Sequence, residues 1–230
     1  MTHYEQRGLT QAADRLINQR RRYLTRLSLI KEYAETSTTP PGVSVNIGCK
    51  ATTLGDVKLD IAGQPDVKGS VLSLPFRPGT FSVAIFSEVL EHLPRGTEPR
   101  AIKEIYGVLG DSGVLILSTP SSDGAWGKLY SLSDPAFWLI GHRHYSGARI
   151  RHLLRAGGFF VESLTRRGGT RELVFSVITP LAYALKKLGA SWNPHLESDY
   201  SLDRPGKGYT LIALARKQRY REEAPSSSLR

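Results

Sequence analysis

Apolar positions along the chain follow two rhythms, and their alternation gives the first outline of the molecule. Residues 9–33 repeat Leu9, Ala13, Leu16, Tyr23, Leu27 and Ile30 at three- and four-residue steps, broken by Arg20, which predicts a helix. Its other face carries Arg15, Arg21, Arg22, Arg26 and Lys31, and the run STTPPG, Ser37 to Gly42, ends it as a hinge. Beyond the hinge, short apolar runs read as strands: VSVNIG from Val43, DVKLDI ending at Ile61, a short one within SVLSLPF (70–76), FSVAIFS over 81–87 and VLILSTP over 114–120. FFVESL from Phe159 and YTLIALAR over 209–216 are the sixth and seventh. Between them, Ile102, Ile105, Tyr106 and Leu109 mark one face of a helix over 98–109. Gly110, Asp111 and Gly113 read as a turn. A second helix starts near Ser146, a good N-cap, turns Ile150, Leu153 and Leu154 inward and stops at Gly157.

Strand and helix in repeated alternation predict an α/β fold: a doubly wound, Rossmann-like, seven-stranded, mostly parallel sheet with helices on both faces. The 230 residues suffice for one such domain and a small appendage. The expected organisation is a basic helical extension over 1–40, a domain over 41–217 with insertions at 121–145 and 168–208, and a disordered tail over 218–230. The insertion at 121–145 follows the carboxyl end of a strand, where open α/β sheets hold their ligands.

Charge changes this picture in one place. The net charge of +10 is unevenly spread: residues 41–140 hold 8 Lys/Arg against 10 Asp/Glu, residues 141–230 hold 16 against 7. The basic C-terminal part suits an anionic acceptor or surface (nucleic acid, phosphorylated glycan, lipid headgroups) or serves solubility. Aromatic residues are not interleaved with the basic ones as single-strand nucleic-acid binding would require. A single cysteine, Cys49, excludes an intrachain disulfide and suits a reducing, cytoplasmic setting. The N-terminal residues carry no apolar signal-peptide core. The run LVFSVITPLAYAL, 13 residues with a proline, is too short to span a bilayer. It suits a buried helix, peripheral membrane contact or a cover over a lipid-like acceptor.

Candidate chemistry starts at the turn after the first strand. Gly48 ends that strand and allows close approach to the backbone. Asp60 closes the second strand, where a carboxylate can accept hydrogen bonds from two ribose hydroxyls. Only one of the three glycines of a dinucleotide fingerprint is present, and the acid follows after 12 residues instead of about 20. The turn suits an adenosine cofactor without phosphates better than NAD, since no full helix N-terminus is left to hold a pyrophosphate.

Four ordered blocks, VNIGC…GDVKLDI, SVLSLPFRPGTFSVAIFSEVLEHL, IKEIYGVLGDSGVLILSTPS and HRHYSGARIRHLLRAGGFFVESL, resemble the class I S-adenosylmethionine-dependent methyltransferases, most closely the small type-11 domains. The resemblance covers residues 43–165, with GYTLIALARK as an antiparallel final strand. It implies S-adenosylmethionine as cofactor. It also implies that Ile47, Gly48 and Cys49 face the methionine part, and that Asp60 and Ile61 serve the ribose. Ser70, Val71 and Leu72 would border adenine, and Ser87, Glu88 and Val89 would meet the methionine moiety again. Two positions depart from the family pattern: Lys50 stands where glycine is usual, and Ser70 where aspartate is usual.

A methyl already activated by the cofactor needs alignment, exclusion of water and, for a protonated nucleophile, a base. His92, and His142, His144 and Tyr145 in GHRHYS, are the candidates. Trp126, Tyr130, Phe137 and Trp138 can wall an acceptor or fill a satellite core. His142 and His144 share a face of an extended segment but show no third partner in the sequence, so no metal is expected. The function expected is methyl transfer to an unidentified acceptor: a small molecule, glycan or lipid-linked metabolite. RNA or protein methylation by way of the basic C-terminal part is one alternative. A non-catalytic, cofactor-binding regulatory member of the fold is another.

Overall fold

The computed structural model describes Ile30 and residues 42–49, 54–133, 141–167 and 209–218. The expected N-terminal helix (Ile30 apart), Lys50, Phe137, Trp138, the insertion at 168–208 and the tail beyond Gln218 lie outside the described residues. Among the described residues, seven strands form one sheet in the order β3-β2-β1-β4-β5-β7-β6. They are β1 (Ser44–Ile47), β2 (Val57–Asp60), β3 (Val67–Lys68), β4 (Phe81–Ser87), β5 (Leu109–Pro120), β6 (Phe159–Arg167) and β7 (Thr210–Lys217). Among the described residues, helices α1 (Glu98–Val108), α2 (Gly124–Ser133) and α3 (Gly147–Ala156) accompany them, with a 3-10 turn at Leu90–His92 and a further helical residue at Ile30. All ladders are parallel except those of β7, which runs antiparallel to β5 and β6.

The buried run Phe81–Phe86 reads continuously apolar apart from Ser82 because β4 is central and covered on both faces. Its side chains alternate. Phe81, Ala84 and Phe86 join the core under α1 and α3, whereas Val83 and Ile85 join Val114, Ile116 and Ile30 on the opposite face. A register shift between Phe81 and Val83 against β5 puts Phe81 on the first of these faces. Helix α1 buries Ala101, Ile102, Ile105 and Val108. Helix α3 buries Ile150, Leu153 and Leu154 and is capped by Ser146, whose side chain accepts from the Arg149 amide at 3.1 Å. Gly157 at its end lets the two helices meet: a Cβ there would lie 2.3 Å from Cγ2 of Ile102.

Two expectations are corrected. The third strand is Val67–Lys68, not within 70–76, where Ser70 and Ser73 form only an isolated bridge. Residues 110–113 do not end an element as a turn. They belong to β5, with Ser112 at φ 60 and its carbonyl accepting from Arg216 Nη1 at 3.0 Å. At the same junction Lys217 of β7 donates to the carbonyls of Tyr106 (2.9 Å) and Leu109 (2.6 Å), satisfying the end of α1. No helix among the described residues is long and apolar enough to cross a membrane.

Candidate functional site

The chain leaves β1 toward β2 and β3 on one side, then returns to β4 and β5 on the other. Such a reversal opens a crevice at the carboxyl ends of the two central strands. Here the crevice is a cleft of about 1000 Å³, at the upper end of the range for small-molecule sites.

Gly48 closes β1 at φ +76, in the left-handed region, and its amide donates to the Leu59 carbonyl at 2.8 Å. A Cβ on Gly48 would lie 2.3 Å from Cγ2 of Val89, so the side-chain space of one position is filled by the other. Asp60 is nearly buried at the end of β2; its Oδ1 accepts from the Ala62 amide at 3.1 Å, which folds the following turn back over the cleft. Ile61 beside it is 76% exposed, an apolar lip on the rim. Ser70 turns its hydroxyl to the Leu72 amide at 3.2 Å, and Glu104 of α1 holds the loop by accepting from the Leu74 amide at 2.9 Å.

Across the cleft, Glu88 takes φ 55, unusual for a residue with a side chain. Its carboxylate accepts from Ser118 Oγ at 2.8 Å, Ser118 meets Ser87 Oγ at 2.7 Å, and the Glu88 amide donates to the Ser118 carbonyl at 2.9 Å. These bonds on β5 hold the backbone in a conformation that costs about 1–3 kcal/mol.

Nine of the eleven expected cofactor residues therefore line one cleft: Ile47, Gly48, Asp60, Ile61, Ser70, Val71, Leu72, Glu88 and Val89. Cys49 and Ser87 do not line it. Cys49 is buried, and burial, with Asp60 nearby, pushes its thiol pKa up, so it stays protonated and unreactive near neutrality. Gly63, Gln64 and the Leu93–Pro94 step line the cleft without having been read from the sequence.

The candidate catalytic residues separate. His92 lines the cleft. His142 comes from the far segment to meet His92, its Nε2 3.2 Å from that of His92, with the rings 4.3 Å apart. His144 points instead to α2, where its Nδ1 lies 2.6 Å from Ser131 Oγ and its ring stacks on Tyr130. Tyr145 turns into the core. Its hydroxyl donates to the Leu90 carbonyl or to Glu98 Oε1, each at 3.2 Å, and burial raises its pKa well above the usual tyrosine range. Arg143, between the histidines, pairs with Glu98 Oε1 and donates to the carbonyls of Leu93 and Leu90. Arg143 and Tyr145 thus lash the 142–145 segment to the turn that carries His92.

That turn also carries a residue the sequence did not bring forward. Glu91 is only 2% exposed, its Oε2 accepting from Thr119 Oγ1 at 3.0 Å. Glu91, His92 and His142 bring one carboxylate oxygen and two ring nitrogens within 4.8 Å of one another.

Comparison with known proteins agrees with this architecture. The methyltransferase-domain family matches residues 12–164. The fold is similar to that of a SAM-dependent methyltransferase from Thermotoga maritima, with TM-score 0.57 and 17% identity over 91% of this chain and 96% of that one. It is also similar to the [4+2]-cyclase SpnF (TM-score 0.56, 19% identity, 86% and 80% coverage). A methyltransferase from Galdieria sulphuraria, named provisionally for sarcosine and dimethylglycine, is a third (TM-score 0.55, 17% identity, 83% and 84% coverage). No curated protein shows significant similarity to the chain. The chain belongs to the methyltransferase-domain family, and family and fold together imply S-adenosylmethionine as its cofactor.

The described residues fit that cofactor. The cleft is large enough, the backbone at Gly48 is bare of side chain, and a nearly buried carboxylate stands at the end of β2. Gly48 and Val89 would border the methionine part, Asp60 the ribose, and the Ser70–Leu72 loop the adenine.

Proposed function

We propose that this chain is an S-adenosylmethionine-dependent methyltransferase acting on a small molecule, glycan or lipid-linked metabolite. The observation that carries this reading is the placement of Asp60 and Gly48 on one cleft at the switch point between β1 and β4, with His92 on its wall. When bound, the cofactor supplies a sulfonium methyl open to attack. The chain supplies the rest. Asp60 accepts hydrogen bonds from the sugar, and Val89 and Leu72 exclude water. Glu88, held by Ser118, keeps the end of β4 in one shape. His92 stands where an acceptor would be met, with His142 beside it, and Arg143 and Tyr145 position His142.

Similarity of fold to a cyclase is the reason to test transfer separately from binding, since one fold hosts several chemistries. Calorimetry with S-adenosylmethionine, S-adenosylhomocysteine and NAD should give binding to the first two alone. Asp60→Ala should weaken it by about 1–3 kcal/mol, the worth of hydrogen bonds to a charged group. Binding of NAD alone would reject the proposal. Binding without methyl transfer across a broad acceptor panel would point to a regulatory protein of this fold. A salt-dependent complex with RNA would redirect the search for the acceptor.

A further inference from the structure

We infer that Glu91, His92 and His142 form a binding site for one divalent transition-metal ion beside the cleft, which His92 lines. Three groups of ligating type, from two segments 50 residues apart in sequence, converge on one point. Two neutral nitrogens and one carboxylate are a donor set that suits zinc, cobalt or iron.

The spacing of the two histidines suits such an ion. Tetrahedral zinc with bonds of about 2.0–2.1 Å holds two imidazole nitrogens about 3.3–3.4 Å apart. The Nε2 atoms of His92 and His142 are 3.2 Å apart. A proton shared between the rings engages two of the three groups; a divalent ion engages all three and compensates the buried carboxylate.

The ligands are also held from behind, as metal ligands characteristically are. Thr119 donates to Glu91. Arg143 and Tyr145 fix the segment of His142 by way of Glu98, Leu90 and Leu93. The 3-10 turn fixes the offset of Glu91 from His92, since the His92 amide donates to the Val89 carbonyl at 3.0 Å.

Three protein ligands leave at least one position of a four-coordinate ion open. His92 lines the cleft, so an ion that it holds would stand at the cleft's edge. Resting here on the methyltransferase reading, the acceptor class becomes an oxygen nucleophile. A hydroxyl bound to the ion loses its proton to water more readily. The resulting oxygen forms a bond to the methyl carbon as the sulfur–methyl bond breaks, and S-adenosylhomocysteine leaves.

The test uses the untagged 230-residue chain, dialysed against chelator and titrated with Co²⁺ while the visible ligand-field bands are followed. One Co²⁺ per chain is expected, displaced by Zn²⁺. Glu91→Gln, His92→Ala and His142→Ala should each lower affinity by about 100-fold or more, and Thr119→Val by about 10-fold, as outer-sphere partners do. His152→Ala, exposed on α3, should change nothing. If His92→Ala fails to fold by circular dichroism, His142→Gln takes its place. Absence of saturable binding, or binding that survives the three ligand substitutions, overturns the site. S-adenosylhomocysteine calorimetry on the same samples separates the two proposals: cobalt bound without it leaves the metal site standing and removes the methyltransferase reading, and the converse result does the reverse.

Discussion

The two halves of the sheet are built differently. On one side, β1 and β2 have 4 residues each and β3 has 2, and the β1–β2 ladder pairs three residues. On the other, β5, β6 and β7 have 12, 9 and 8 residues, with seven pairs between β5 and β7 and eight between β6 and β7. The short half and the segment that follows β4 line the cleft; β5, β6 and β7 do not, and Ser118 and Thr119 act only through their bonds to Glu88 and Glu91. Short strands leave their ends and turns free to wrap a ligand. Long, mutually hydrogen-bonded strands hold those ends in place. Stability and binding should therefore respond to different substitutions.

The sharpest way to break this division is Leu115→Ala, in the middle of β5 and fully buried. It should cost about 2–5 kcal/mol in urea unfolding, while the protein that remains folded keeps its affinity for S-adenosylhomocysteine. A parallel loss of affinity would mean that the halves are not separable.

Gly48→Ala is the counterpart on the short side. The left-handed backbone and the contact with Val89 should together cost about 1–3 kcal/mol. Affinity for S-adenosylhomocysteine should fall about tenfold or more, with Gly48→Ala/Val89→Ala recovering part of it. Calorimetry on both variants checks this.

The smallest effect joins the halves. Tyr145→Phe removes a buried hydroxyl bonded to Leu90 and Glu98 and should cost about 1 kcal/mol. Burial raises the folded pKa of Tyr145, so the folded state keeps a proton that the unfolded state releases. Its contribution is complete below the unfolded tyrosine value of about 10 and is lost as pH rises toward the folded one. Wild-type stability should fall more steeply above about pH 10 than that of Tyr145→Phe, as followed by urea unfolding across pH.

Where a segment was long or had a physical period, the sequence disclosed it. Phe81–Ser87, Phe159–Leu164 and Thr210–Arg216 were legible as strands, and Ile150, Leu153 and Leu154 as the buried face of α3. Val67–Lys68 escaped because two residues carry no alternation. Gly110–Gly113 misled because Gly, Asp and Ser are turn residues, whereas Arg216 of a strand a hundred residues on draws that stretch into β5. Helix α2 was hidden among aromatic and small residues with little amphipathic pattern. At the site, Gly48 and Asp60 could be read from strand ends. Glu91 could not: its burial depends on Thr119 and its partnership with His142 on Arg143, both distant in sequence. The role expected of His144 and Tyr145 rested on their residue types and their place in GHRHYS, yet one faces α2 and the other the core.

The interlock of Gly48 and Val89 bears on engineering. Because the valine already occupies the volume that a methyl on the glycine would need, Gly48 cannot be enlarged alone. Trimming Val89 to alanine is the natural first step toward a variant that admits bulkier synthetic donors, a hole cut on the protein side to match a bump on the reagent. A screen that randomises only Gly48 should return little besides the parent residue.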